Sequence, residues 1–192
     1  MACNKKITAN ILFDCADAPI KGLDGQKAVI INYDDIDRAA LAMNGATITD
    51  LATKSGTSGF SIEWYKELAS VASSFTANAE DVDGFAHSFQ CRLANSDANN
   101  AERANELKNG RFVVVVESTY KGAAQASAFK VYGIDAGLEL SEMTGNSNEN
   151  GGSQIFTLST REGTVERYPY SIFLETDYAA SKASFDTSFA TP

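Results

Sequence analysis

Two runs of acids carry groups that could do chemistry. Asp34, Asp35 and Asp37 fall together in "DDID", and Glu80, Asp81 and Asp83 fall together in "EDVD". Carboxylates this close could attract a divalent cation. Neither run has the spacing of a recognised metal loop, however, and short acid runs of this kind usually belong to solvated turns. A third run, Asn146, Asn148, Asn150 and Gly151, imitates the opening of a calcium-binding loop. That loop needs Asp in its first place and a bidentate Glu in its twelfth, where this chain has Asn146 and Thr157. Without carboxylate charge the run would hold calcium poorly. It reads as the polar tip of a hairpin, and no metal is expected.

The remaining candidates are few. His87 is the one histidine, and no Cys, Ser or acid stands at a recognised spacing from it. In an apparent strand it shares a face with Phe85 and Phe89, which suits a packed residue better than a base. Cys3, Cys15 and Cys91 are widely spaced and odd in number, with no CxxC, so neither a disulfide framework nor a zinc site is indicated. No GxSxG, P-loop, HExxH or dinucleotide fingerprint occurs, and "SGTSG" lacks the Lys and the following helix of a phosphate cradle. Trp64, Tyr65, Tyr120, Tyr132, Tyr168 and Tyr170 could form a sugar or base platform, but interleaved with β-branched residues they read as core or interface. The sequence names no nucleophile, no base pair and no cofactor. The expected role is not enzymatic.

Composition narrows the class further. The chain has 192 residues, 44% hydrophobic and 21% charged, which is ordinary for a single folded domain spanning 1–192 with terminal arms. Its apolar runs, of which none is longer than Phe112–Val116, are far too short to cross a bilayer, and "MACNKKITAN" is not followed by the apolar segment of a secretion signal. A soluble protein made in the cytoplasm is expected. The net charge of −9 excludes a general nucleic-acid binder, which needs Lys and Arg to displace counterions from phosphate. It does not exclude a protein that lets nucleic acid pass without gripping it.

Strand signals dominate the elements that must position these residues. Ile7–Phe13, Lys27–Asn32, Ala46–Thr53, Phe60–Tyr65, Ser70–Ala79 and Phe85–Leu93 are β-prone runs. "KSGTSG" reads as a hairpin loop between the third and fourth, and "EDVDG" as another between the fifth and sixth, with Gly84 free to take a positive φ. Arg111–Ser118 is a continuous apolar run, as expected of a strand covered on both faces. One helix is clear, at about 98–109, with Ser, Asp and Asn to cap its start and Gly110 to stop it. Its alanines should pack on the sheet. Thr176–Ser188 is a weaker second helix, with Tyr178, Phe185 and Phe189 near one face. "FKVYGIDAGLELSEMTGNSNENGGSQIFTLST", Phe129–Thr160, has alternating apolar residues on both sides of the Asn-rich run. The reading is a mainly β, α+β fold: an antiparallel sandwich or barrel-like domain with one flanking helix and long hairpin loops.

Several segments in order, "FDCADAPIKGLDGQKAVIINYDDID", "NGRFVVVVESTYKG", "AFKVYGIDAGLELSEMT", "ENGGSQIFTLST" and "FLETDYAASKA", resemble virion proteins of tailed phages of gut anaerobes. The order of elements also resembles the tail tube fold. The resemblance implies hexameric rings stacked into a hollow tube that conducts double-stranded DNA, with no catalytic residues. It also implies a place in the phage tail, beside other tail proteins. In such a tube, edge strands would close the ring and the hairpin tip (Asn146, Asn148, Glu149, Asn150 and Gly151) would reach between rings. Asp34, Asp35, Asp37, Glu80, Asp81 and Asp83 would be the acids of a lumen that repels phosphate. Two other readings share these features: a capsid decoration or head–tail connector protein, and a β-sandwich that binds glycans or cell surfaces.

Overall fold

Phe112–Ser118 is buried at all seven positions, and the rest of the molecule is arranged around it. The computed structural model describes residues 7–12, 18, 20–77, 82–93, 95–149 and 152–190. Among them, the strands are β1 (Leu23–Asn32), β2 (Ala42–Asn44), β3 (Thr47–Asp50), β4 (Phe60–Glu63), β5 (Ala69–Thr76) and β6 (Gly84–Leu93). They continue as β7 (Phe112–Ser118), β8 (Phe129–Tyr132), β9 (Leu138–Gly145), β10 (Gln154–Thr160) and β11 (Ser171–Phe173). The helices are α1 (Ala98–Glu106) and α2 (Tyr178–Asp186). None of the described helices is long and apolar enough to cross a membrane.

All eleven strands share one hydrogen-bonded network, which bends into two leaves. The first leaf runs β2-β3-β11-β8-β7-β1-β4 and the second β9-β10-β6-β5. Pairing is antiparallel except between β3 and β11, which run parallel, so the sheet is mixed. No pairing joins β5 to β2, so the sheet stays open and the barrel alternative falls away.

Strand pleating explains the two cores, because successive side chains point to opposite faces. On one side, Ala28, Ile30, Val114 and Val116 meet Phe89, Cys91, Phe156 and Leu158 from the second leaf. On the other, Val29, Ile31, Val113 and Val115 meet Phe129, Phe173, Phe185 and Phe189, the last two brought by α2 and the turn after it. The order of layers is therefore sheet, sheet, helix. The predicted strand covered on both faces is β7, and β1 joins it in that role.

The leaves meet where β8 becomes β9. Tyr132 pairs with Val114, but Leu138 rather than Ile134 takes the place opposite Phe112, so five residues bend away between them. Gly133 and Gly137 have φ of +81° and +80° there, a backbone that disfavours side chains. A Cβ on Gly133 would also lie 3.0 Å from the Phe112 carbonyl oxygen.

Both helices start at Asp caps. The Asp97 side chain accepts from the Asn100 N–H, and the Asp177 side chain from the Ala180 N–H, each at 2.8 Å. Helix α1 has no fully buried residue within it; Ala104 and the following Leu107 pack on the core while Ala101 is exposed. The alanine-lined face is thus narrower than expected, and two helices flank the sheet rather than one.

Other expectations also change. Residues 7–12 form no strand, and Ile7, Ile11 and Leu12 are 82%, 88% and 84% exposed; among the described residues no strand pairs with them. Phe13 lies outside the described residues. "KSGTSG" does not close a hairpin: β3 pairs with β2 and β11, whereas β4 crosses to the far edge and pairs with β1, bringing Phe60 and Ile62 beside Ile30 and Ala28. Burial of Ile62 on the core outweighs the nearer pairing. Gly84 has no positive φ; it allows close approach, since a Cβ would meet Val165 at 2.5 Å. Asn109, not Gly110, takes the left-handed turn after α1, and Gly110 leaves room for the Phe112 ring.

Phe129 stacks on Tyr178 at 5.7 Å between ring centres and touches Phe185 at 5.1 Å and Phe173 at 6.4 Å. Phe129→Ala should therefore cost about 3–5 kcal/mol and loosen α2. A lowered urea midpoint, with faster amide exchange in Tyr178–Asp186, is the expected reading.

Candidate assembly interface

The second leaf ends in two borders of equal length. β5 pairs along Ala69–Thr76 with β6 alone, and β9 pairs with β10 but touches β7 only at Leu138. Each strand has eight residues. Since every neighbour in this leaf is antiparallel, β5 and β9 run in opposite directions. β5 has no charged residue and no Pro to block pairing, and Phe75 on it is 63% exposed.

Register fixes what the outer face of this leaf presents. Val71, Phe89 and Leu158 point into the core, so the alternate rows point outward. One row is Ser70, Gln90, Thr157 and Glu142; the next is Ala72, Ser88, Ser159 and Glu139. The face is hydroxyl, amide and carboxylate, with Arg92 at one end lying 5.6 Å from the Tyr65 ring. Glu139 and Glu142 on this face repel phosphate, while Arg92 is engaged with Ser153 and Tyr65.

A second open border lies on the first leaf. β4 pairs only with β1, and beneath it an open groove of 580 Å³ is lined by Ile30, Phe60, Ile62, Leu93, Leu107 and Phe112, with Glu63, Asn100, Arg103 and Glu106 at its polar margin. Phe60 is 60% exposed, and Ile62 only partly buried.

The acids and the hairpin tip named from sequence serve the fold in ways the sequence did not specify. Asp34 and Asp35 lie in a 3₁₀ turn, Tyr33–Asp35; the Asp35 carboxylate accepts from the Asn32 amide at 2.8 Å, and Asp37 accepts from the Ala39 N–H at 2.9 Å. Arg111 is 3.7 Å from Asp34, and Arg111 and Arg38 flank the Tyr33 ring at 3.8 Å and 4.3 Å. Lys54 donates to the Asp34 carbonyl at 2.6 Å, so three cations stand around the three acids and the corner is charge-balanced. Asp83 is exposed in the β5–β6 connection, while Glu80 and Asp81 lie outside the described residues. In the tip, Asn146 accepts from the Asn148 N–H at 3.0 Å, and Ser96 donates to the Gly152 carbonyl at 2.6 Å. The ribbon end is thus tied back near the start of α1. Asn146, Asn148 and Glu149 are exposed; Asn150 and Gly151 lie outside the described residues. No group of three or more His, Cys, Asp or Glu among the described residues is placed to hold a metal ion.

Sequence reasoning missed the two buried carboxylates. Glu166 accepts from the Asp135 and Ala136 N–H groups at 2.8 Å each, bracing the bend between the leaves. Burial raises its pKa despite those bonds. Beside it, Arg167 grips Asp135 through two nitrogens, at 3.0 Å and 2.6 Å. Glu117 receives Lys121 at 2.6 Å, Tyr178 at 2.7 Å and Lys182 at 3.5 Å, which ties the end of β7 to α2. Its signal was there in part: an acid inside "FVVVVES" must find partners once the run is buried.

His87 is a packed residue, 2% exposed, as its face with Phe89 suggested. The Gly133 N–H donates to its Nδ1 at 3.1 Å, so the proton sits on Nε2, which donates to the Tyr168 carbonyl at 2.8 Å. The ring is a neutral cross-brace between leaf and bend. Cys91 is likewise buried in the core, its thiol pushed up to about 12 by burial, and is unsuited to nucleophilic work.

No protein-family model, no curated protein sequence and no solved structure matches this chain.

Burial holds the His87 pKa below its ordinary value, against the weaker opposing effect of the bond to Tyr168. The unfolded chain therefore takes up a proton near pH 6.5 that the folded chain refuses, and stability falls as pH drops from there towards the folded value. One proton sets the ceiling of that slope at about 1.4 kcal/mol per pH unit. His87→Gln should flatten it in urea titrations from pH 7 to pH 5; equal slopes in the two proteins would remove the brace from this account.

Proposed function

We propose that this chain is a structural subunit that closes a ring with copies of itself, as in the tail tube of a tailed phage. The observation that carries the reading is the pair of matched borders, β5 and β9. They have equal length and opposite direction, on opposite sides of one four-stranded leaf. Laying β5 of one copy beside β9 of the next continues the antiparallel alternation without a break. That is a head-to-tail contact, the kind that closes into rings and leaves the axial direction open for stacking.

Six such leaves would supply about 24 strands; at about 4.8 Å per strand the wall is about 115 Å around and about 37 Å across. Side chains of about 5 Å on each wall leave a bore of about 25 Å. That is wide enough for a DNA duplex, and strand tilt would only widen it. If the outer face of the second leaf lines that bore, its Ser, Thr, Gln and Glu rows would let DNA slide past. The chain's net charge of −9 favours the same behaviour. The segment resemblance to phage virion proteins points the same way. In this reading the lumen acids are Glu139 and Glu142 rather than the charge-balanced Asp34–Asp37 corner.

Purified protein examined by negative-stain microscopy should form rings that stack. Single rings that never stack would favour a connector, and a sheet-like lattice a capsid decoration. Ala72→Asp with Ser74→Asp sets two acids on the open border next to Glu139 and Glu142 of a neighbour. The double variant should remain folded by circular dichroism yet stay monomeric in sedimentation. A wild-type chain that stays monomeric at high concentration, or a double variant that assembles normally, would overturn the proposal.

A further inference from the structure

In "ITANIL", residues 7–12, Ile7, Ala9 and Ile11 alternate with polar Thr8 and Asn10, and the apolar Leu12 ends the alternation. This is the pattern of a strand with one face to bury. The same segment stands exposed in the single chain, while the groove under β4 stands open. Each of these features lacks what the other supplies. β4 has a free edge, and its groove-side residues, Phe60 and Ile62, repeat every second position. A strand laid along that edge would set its own alternate side chains over the groove at the same period, about 6.7 Å.

We propose that residues 7–12 of a second copy lie along β4, with Ile7 and Ile11 entering the groove of Phe60, Ile62, Leu107 and Phe112. The inference deepens the assembly reading above and rests on it for the presence of neighbouring copies. Charge is compatible with the match: Lys5 and Lys6 directly precede the arm and Glu63 rims the groove, where Arg103 and Glu106 pair with each other at 2.9 Å. Length favours it. Ten residues separate Leu12 from Leu23, and extended they span about 33 Å, enough to leave one protomer and reach the next. The contact is separate from β5 and β9, so one copy can share its second leaf with ring neighbours and lend its arm to another chain.

The test uses the full-length chain with a photo-crosslinking phenylalanine analogue in place of Ile11, mixed as heavy and light isotope-labelled copies. Irradiation at assembly concentration should give heavy–light cross-links to peptides containing Phe60–Glu63 or Asn100–Leu107. Cross-links that never pair heavy with light would mean the arm folds onto its own chain and would overturn the proposal, as would cross-links elsewhere or none. Phe60→Asp changes an exposed ring, so folding should survive, while the concentration needed for association should rise about tenfold or more. An unchanged concentration counts against the groove. The two readings fail separately. Rings that form while Ile11 cross-links elsewhere remove only the arm, whereas arm-linked copies that never close a ring remove the tube and leave the arm.

Discussion

Everything in this molecule depends on two adjacent strands being apolar on both faces. β1 and β7 pair along Ala28–Asn32 and Phe112–Val116, and each contributes alternate side chains to two separate cores. A strand of this kind cannot be exposed on either side without losing several large burial terms at once, at about 25 cal/mol per Å². It therefore demands a layer above and a layer below. The second leaf supplies one and α2 with the Ile36–Leu51 region supplies the other. The fold is what satisfies that demand with the chain available.

Satisfying it creates the polar problems that the buried acids then solve. Leaving β8 and entering β9 frees backbone N–H groups at Asp135 and Ala136, and the Glu166 carboxylate accepts both. His87 accepts the Gly133 N–H at the same bend and donates to Tyr168. Glu117 closes the opposite end of β7 with Lys121, Lys182 and Tyr178. Each of these groups is held by named partners, and none of them lines the groove.

Much of this was legible in the sequence, and the limits have physical causes. A β-prone run before a turn located β5, period-two alternation located β6 and the β9–β10 ribbon, and the unbroken "FVVVV" announced a doubly covered strand. Ser96, Asp97 and the asparagines after them announced the start of α1, whereas the Asp177 cap of α2 emerged only in the structure. What failed were statements about partners at a distance. Nothing local in Phe60–Tyr65 says that its mate is β1 rather than the nearer β3; the choice lies in burying Ile62. Nothing in Ile7–Leu12 says that no described strand of the chain will pair with it. Gly84 and Gly110 looked like turn residues, yet they serve close packing against Val165 and Phe112, which only three dimensions reveal. The acids of Asp34–Asp37 looked like a surface charge patch because Arg111 stands far off in sequence.

The makeup of β5 has its own consequence. Its exposed side chains include Ser70, Ser73 and Ser74, with a single bare aromatic, Phe75. A border so well hydrated would gain little from one encounter, so in the proposed assembly two protomers meeting by chance would part again. A newcomer held on both flanks at once would have no such escape. Joining of the proposed kind would therefore be a nucleated, threshold-like event: dispersed while the protein is scarce, and abrupt once it is abundant.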